Sequence, residues 1–172
     1  EDVGSGDVTT DTIVPEDLKV KAVIVAHESG IVSGLVVARE VFTVFDQDIE
    51  VKAAVSEGDK VKKGTVLLKL KGSARTILTC ERLALNLLQR LSGISTLTGE
   101  YVKKTKPYGA TLLYTRKTTP GLRNLEKYAV KAGGGENHRM GLYDGTLIKD
   151  NHIKIAGSII KAVNMVKVKY PG

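Results

Sequence analysis

The sequence predicts an α/β protein in two parts: an α+β amino-terminal domain over residues 1–105, then the first β/α units of a parallel-sheet domain over residues 106–172. Three observations predict it. Residues 19–70 hold short alternating apolar runs separated by turn signals. Residues 75–104 space their apolar side chains by three and four, as amphipathic helices do. Beyond residue 110, short apolar runs alternate with helical patterns, which reads as β/α units on a sheet that is either open or closed into a barrel.

Taken in order, residues 1–15 are polar and contain Gly4, Gly6, Asp7, Thr9 and Thr10, so an irregular lead-in to Pro15 is expected. Lys19–Ala26 alternates as a strand and stops at His27-Glu28-Ser29-Gly30. Val36, Val37, Val41 and Val44 fit helical spacing although β-branched, and predict a helix from about Gly34 to Phe45. Ile49–Val55 alternates again. Ser56–Gly64 gives two turns around a short extended piece, and Thr65–Leu70 is the next strand. Ile77, Cys80, Ala84, Leu87, Leu88 and Leu91 form one stripe on a helix from Arg75 to Leu91, which Ser92-Gly93 is expected to end. A second helix follows from about Ser95 to Lys104 and stops before Pro107. Ala110–Tyr114 is a short strand. Thr119 caps and Pro120 opens a helix with Leu122, Leu125, Ala129 and Ala132 inward, closed by Gly133. Gly145–Lys149 is expected as a strand, and Gly157-Ser158 opens a helix with Ile159, Ile160, Val163 and Val166 inward.

Bulk properties narrow the function. The net charge of +7 suits an anionic partner without choosing among nucleic acid, phosphorylated metabolite and anionic membrane. The few aromatics are not interleaved with basic residues, so no stacking surface for single strands is evident. No apolar run approaches the roughly 18 residues of a membrane helix, and no signal-peptide pattern opens the chain. The single cysteine, Cys80, leaves no intrachain disulfide and no clustered thiolate site. A cytoplasmic protein with neither nucleic-acid nor membrane partner is expected. Glu1 in place of an initiator Met, and Pro171-Gly172 directly after an amphipathic run, suggest that both ends are cut.

The stretch from Leu112 to Asp150 concentrates basic groups at the ends of short motifs: Arg116 and Lys117, His138 and Arg139, and Lys149. In a β/α barrel, residues just beyond strand ends converge on one face. Arg grips carboxylate or phosphate through two N–H groups and Lys adds a compact charge, so the set suits a ligand with several anionic groups. Any one of these cations alone reads as ordinary surface charge. Gly133-Gly134-Gly135 either lets backbone N–H groups approach a phosphate or simply stops a helix and opens a loop. His138 reads equally as a donor to ligand, a general acid or a surface residue, and His152 lies within reach of Asp150 in sequence. No two-histidine or His–carboxylate spacing predicts a protein-held metal. Glu57-Gly58-Asp59-Lys60-Val61-Lys62-Lys63-Gly64 resembles the hairpin of biotinyl and lipoyl carrier domains, but Asp59-Lys60-Val61 fits only in part and a plain strand–turn–strand accounts for it better.

Longer motifs carry a family resemblance. Thr115-Arg116-Lys117-Thr118-Thr119-Pro120-Gly121, Gly134-Gly135-Glu136-Asn137-His138-Arg139-Met140-Gly141-Leu142 and Leu147-Ile148-Lys149-Asp150-Asn151-His152-Ile153 resemble quinolinate phosphoribosyltransferase, the decarboxylating nicotinate-nucleotide pyrophosphorylase. Glu81-Arg82-Leu83-Ala84-Leu85-Asn86, Gln89-Arg90-Leu91-Ser92-Gly93-Ile94 and the segment Glu1–Thr9 are similar to that family as well, in the same order. The resemblance implies an α/β amino-terminal domain followed by an incomplete, seven-stranded α/β barrel. It implies a pentosyltransferase that converts quinolinate and phosphoribosyl pyrophosphate to nicotinate mononucleotide, pyrophosphate and CO2 in NAD biosynthesis. Mg2+ would be held mainly through the pyrophosphate. A homodimer, or a hexamer of dimers, is implied, in which one subunit's amino-terminal part closes the other's barrel mouth. Carried over by motif, Arg116, His138 and Arg139 would grip the quinolinate carboxylates, with Arg82 reaching in from the partner subunit. Lys117 and Lys149 would be catalytic and face the phosphoribosyl side.

Two features bear on that expectation. The family commonly has Asp where this chain has Tyr114, which keeps open a same-scaffold paralogue with another substrate, of the molybdenum-transport-associated kind. A non-catalytic carrier-like or anion-binding module is the third reading, on Ser56–Gly64 and the net charge. Residues 106–172 are too few for a whole barrel, so a truncated barrel, inactive by itself, is expected.

Overall fold

The structure is a computed structural model that describes residues 1–171. It has two compact units, the first spanning Glu1–Asn137 and the second starting at His138.

In the first unit, β1 (Lys19–Val25), β5 (Val66–Ser73) and β3 (Glu50–Ala53) form an antiparallel sheet in the order β1-β5-β3. Period-two alternation sets its register: Ala22 pairs with Leu70 and Ile24 with Leu68. Leu68 and Leu70 thereby face a core shared with Phe42, Ile77, Ala84 and Leu88. Lysines occupy the other face, where Lys71 donates to Glu50 directly across the ladder at 2.9 Å. A two-stranded antiparallel ribbon, β2 (Gly30–Ile31) with β4 (Lys60–Val61), is formed by residues that lie between β1 and β5 in the sequence. Helix α2 (Leu35–Phe45) fits the valine spacing and buries Leu35, Ala38 and Phe42.

Helix α1 (Val8–Ile13) stands where an irregular lead-in is expected. Its signal was Asp7, whose side chain caps the helix by accepting from the Thr10 N–H at 3.0 Å and takes a second bond from Thr79.

The largest departure is α3. It runs unbroken from Ala74 to Thr105, through the Ser92-Gly93 pair expected to divide it. A glycine in a helix interior costs about 1 kcal/mol relative to alanine, and packing on both sides of the pair exceeds that. Leu91, Ser95 and Thr98 are buried, and the Ser92 hydroxyl accepts from the Ser33 N–H and donates to the Ser33 carbonyl.

Helix α4 (Arg123–Ala132) packs on the second half of α3, where the Ser95 hydroxyl donates to the Ala129 carbonyl at 2.7 Å. It begins three residues later than Pro120 suggests. Gly121 adopts a positive φ of 81° and the Leu122 N–H bonds back to the Thr119 carbonyl, so Pro120-Gly121 forms a turn and Thr119 is not the cap. The buried face also differs: Glu126 and Lys127 are buried with Ala129 and Val130, while Leu122, Leu125 and Ala132 are half-buried. Strand β6 is shorter than expected, Leu113–Tyr114, and pairs in parallel with β7 (Glu136–Asn137), directly after the glycine run.

The second unit holds α5 (Asp150–Ala156) and α6 (Ile159–Lys169), the latter capped by Ser158. Gly145–Lys149 is not a strand. A strand requires a ladder, and this segment has no partner among the described residues. On α6, Ala162 is buried and Val163 and Val166 are half-buried, but Ile159 and Ile160 are 61% and 73% exposed rather than inward. No closed barrel is present among the described residues.

Candidate anion-binding site

The chain leaves β6 into the loop Thr115–Gly121, whose threonines do the fastening. The Thr115 hydroxyl accepts from the Lys117 N–H at 3.2 Å, folding the chain back at Arg116. The Thr118 hydroxyl accepts from Arg123 Nε at 3.1 Å, on the first turn of α4. The Thr119 hydroxyl accepts from Arg90 of α3, and the Thr119 N–H donates to Glu126 Oε2 at 3.2 Å. The backbone is thus held along the loop while the two cations are left to project.

Lys117 is exposed and Arg116 half-buried, and no hydrogen bond or ion pair engages either side chain among the described residues. Arg116 Nε is itself buried and lacks a partner. A buried guanidinium N–H without an acceptor is costly, and an anionic ligand is the natural group to satisfy it.

Glu126, 2% exposed, anchors the region. Its Oε1 accepts from Arg90, and its Oε2 accepts from the Tyr114 hydroxyl at 2.8 Å as well as from Thr119. Burial alone would push this carboxyl up. The donors Arg90, Thr119 and Tyr114 outweigh burial and hold it at about 2. Tyr114 moves the opposite way: burial, then the hydrogen bond and charge of Glu126, push it up to about 12 against the charge of Arg90. Lys127, 1% exposed, lies 5.8 Å from the Tyr114 ring centre and donates to the Tyr114 carbonyl at 3.4 Å. Sequence reading missed Glu126 and Lys127 because charges on a helix ordinarily face water. Their only signal was position, on the helix that follows the cationic loop.

Arg82 is exposed on α3 and lines a cavity of about 850 Å³ between that helix and β1, together with His27, Glu28 and Gln89. The loop residues 115–121 are not among its lining.

Three further candidates lie in the second unit. His138 is exposed, and Arg139 donates to the Gly145 carbonyl at 2.6 Å. The Asp144 carboxylate accepts from the Met140 and Gly141 N–H groups at 2.6 and 2.8 Å, closing the turn after Arg139; those donors, Gly141 first, hold it below the usual carboxylate range. Lys149 is exposed at the start of α5, and its N–H donates to His152 Nδ1 at 2.9 Å. His152 therefore caps α5, and its recorded partner is Lys149 rather than Asp150.

The Ser56–Gly64 segment serves the scaffold. Glu57 accepts from the Gly34 and Val36 N–H groups and so caps α2 from a distance in sequence. Burial, then the charge and hydrogen bond of Glu57, push Tyr128 of α4 up to about 12. Lys60 sits in the β4 ladder, paired with Ile31. Gly133 packs against Ser95 and Thr98 of α3, and Gly135 against Val130 and Thr98, so both glycines serve close packing of backbone and helix. Among the described residues, no three His, Cys, Asp or Glu side chains gather to hold a metal ion. Among the described residues, no helix is long and apolar enough to cross a membrane.

Fold and loop together define an α/β protein that presents unpaired cations beyond the end of a parallel strand. Comparison with known proteins gives the family. Residues 7–92 match the quinolinate phosphoribosyl transferase amino-terminal domain and residues 94–171 its carboxy-terminal domain, and the chain belongs to that family. It is 49% identical over 162 residues to a probable nicotinate-nucleotide pyrophosphorylase [carboxylating] of Bacillus subtilis, covering 94% of this chain and 56% of the relative. It is 47% identical over 167 residues to quinolinate phosphoribosyltransferase [decarboxylating] 1b of Nicotiana tabacum, covering 96% and 47%. The crystal structure of NadC from Streptococcus pyogenes superposes with a TM-score of 0.95 at 42% identity, covering 99% of this chain and 60% of that one. The chain thus spans about half the length of the curated relatives it matches.

Proposed function

We propose that the protein containing this chain is a pentosyltransferase that joins quinolinate to the phosphoribosyl group of phosphoribosyl pyrophosphate with decarboxylation, giving nicotinate mononucleotide, pyrophosphate and CO2 for NAD biosynthesis. One observation carries it: the Thr115–Gly121 loop is fastened through its threonines while Arg116 and Lys117 stay unengaged, Arg116 with a buried, partnerless Nε. The family membership and the printed names of the relatives support the same reading.

Quinolinate carries two carboxylates and its co-substrate several phosphate charges, so the two repel unless cations lie between them. In the proposed roles Arg116, His138 and Arg139 grip the carboxylates, and Arg82 of a second subunit joins them. Arg139 would exchange its Gly145 carbonyl for substrate. Lys117 and Lys149 face the phosphoribosyl side as the catalytic cations, stabilising the leaving pyrophosphate while an oxocarbenium-like charge develops at C1. After transfer, the quaternary ring nitrogen stabilises the electron pair left on C2 as the adjacent carboxylate departs as CO2, and a proton from solvent then replaces it at C2. Positioning and electrostatics supply most of the catalysis.

No cluster of three or more metal-ligating side chains stands among the described residues, and Mg2+ would be held mainly through the pyrophosphate. A homodimer or a hexamer of dimers goes with the role given to Arg82, whose cavity is not lined by the cationic loop of its own chain. The division of labour is placed near residue 105, where α3 ends and the chain turns toward the β/α part. A cytoplasmic location is supported by composition and the lone buried Cys80, although some plant relatives are named as mitochondrial or chloroplastic.

The test is turnover by the full-length protein. Nicotinate mononucleotide should form from quinolinate and phosphoribosyl pyrophosphate, and Lys117→Ala or Lys149→Ala should nearly abolish it. A full-length protein that binds neither substrate by calorimetry would refute the assignment.

A further inference from the structure

Glu126 is a buried carboxylate bonded to both flanks of the cationic loop. Its Oε2 takes the Tyr114 hydroxyl, immediately before the loop, and the Thr119 N–H, beyond Lys117. Its Oε1 takes Arg90 from a different helix. Two consequences follow from this geometry. The ends of the segment 114–119 are tied to one point, which limits the directions in which Arg116 can project. The carboxylate is also saturated by three donors, so it does not draw Arg116 into an internal ion pair; Arg116 Nε remains without a partner. A residue present only to neutralise Arg90 would need neither loop contact.

We propose that Glu126 is a positioning residue: with Tyr114 and Arg90 it closes the loop and keeps Arg116 available, at a set angle, for an anionic ligand. The choice of quinolinate as that ligand rests on the function proposed above; the loop closure does not. Lys117 is held separately, through its own N–H on the Thr115 hydroxyl, so loss of Glu126 should disturb Arg116 more than Lys117.

The experiment uses the full-length protein with Glu126→Gln, Tyr114→Phe and the double variant, reading quinolinate KM, kcat, melting temperature and amide exchange over residues 115–121. Glu126→Gln should raise quinolinate KM about tenfold, a modest share of what a misplaced binding group costs, while kcat stays within about threefold. Tyr114→Phe should shift KM the same way by less. Because both act through one carboxylate, the double variant should be no worse than Glu126→Gln alone. Activity that falls only with the folded fraction at unchanged KM overturns the proposal, and so does an additive double variant. Should the wild type fail to use quinolinate, the functional assignment falls, and exchange then decides the positioning role. Selective acceleration over 115–121 in Glu126→Gln supports it, and unchanged exchange overturns it.

Discussion

The carboxyl of Glu126 makes a strong prediction about acid stability. Its value of about 2 in the folded chain, against an ordinary 4.5, means the folded state binds this proton far more weakly than the unfolded chain does. At roughly 1.4 kcal/mol per tenfold change in proton affinity, that difference corresponds to about 3 kcal/mol of folding free energy. The sign is that of a depressed carboxylate: the contribution is fully present above pH 4.5 and is lost as pH falls toward the folded value near 2. Asp7, Glu50 and Asp144 are lowered as well, so wild-type acid sensitivity alone would be ambiguous. Comparison with Glu126→Gln removes that ambiguity, because those groups are common to both proteins. Urea denaturation between pH 7 and pH 2 should show the stability gap between wild type and variant shrinking by about 3 kcal/mol. A gap that stays constant across that range would refute the claim that Arg90, Tyr114 and Thr119 hold this carboxylate ionised.

Three substitutions test the packing that carries the loop, each by shift of the denaturation midpoint. Gly93→Ala should stabilise by about 0.5–1 kcal/mol, since Gly93 lies inside α3 and an added Cβ there meets no atom within 4 Å. Gly133→Ala should destabilise by about 1–3 kcal/mol, because the new Cβ would lie 2.7 Å from Thr98 Cβ and press on the Ser95 carbonyl. Glu57→Ala should cost about 1 kcal/mol by leaving the Gly34 and Val36 N–H groups of α2 without their acceptor.

Much of the scaffold was legible in the sequence. The alternation of Lys19–Val25 shows which side chains face the core, because successive residues in a strand point to opposite faces. The stripe Ile77–Leu91 is equally clear. Arg116 and Lys117 stood out as candidates because two cations directly beyond a short apolar run are easy to see. Glu126 was not legible: its partner Arg90 lies 36 residues away on another helix, and no local pattern says that a charged helical residue will be buried against a distant guanidinium. The continuity of α3 was hidden for a related reason. Ser92-Gly93 is locally a stop, and only contacts with Ser33 and α4 outweigh it.

By itself, then, the sequence determined the periodicities, the alternation of inward and outward side chains along β1, the order of the motifs and the family they resemble. Each depends on neighbours within a few residues or on a written string. Tertiary structure decided what needs two distant segments at once: that α3 is a single helix, that Glu57 caps α2, and that Glu126 brings Arg90 of α3 to the cationic loop. The physical reason is that burial and pairing of a polar group are properties of the space around it. That space is built by residues the local sequence does not contain.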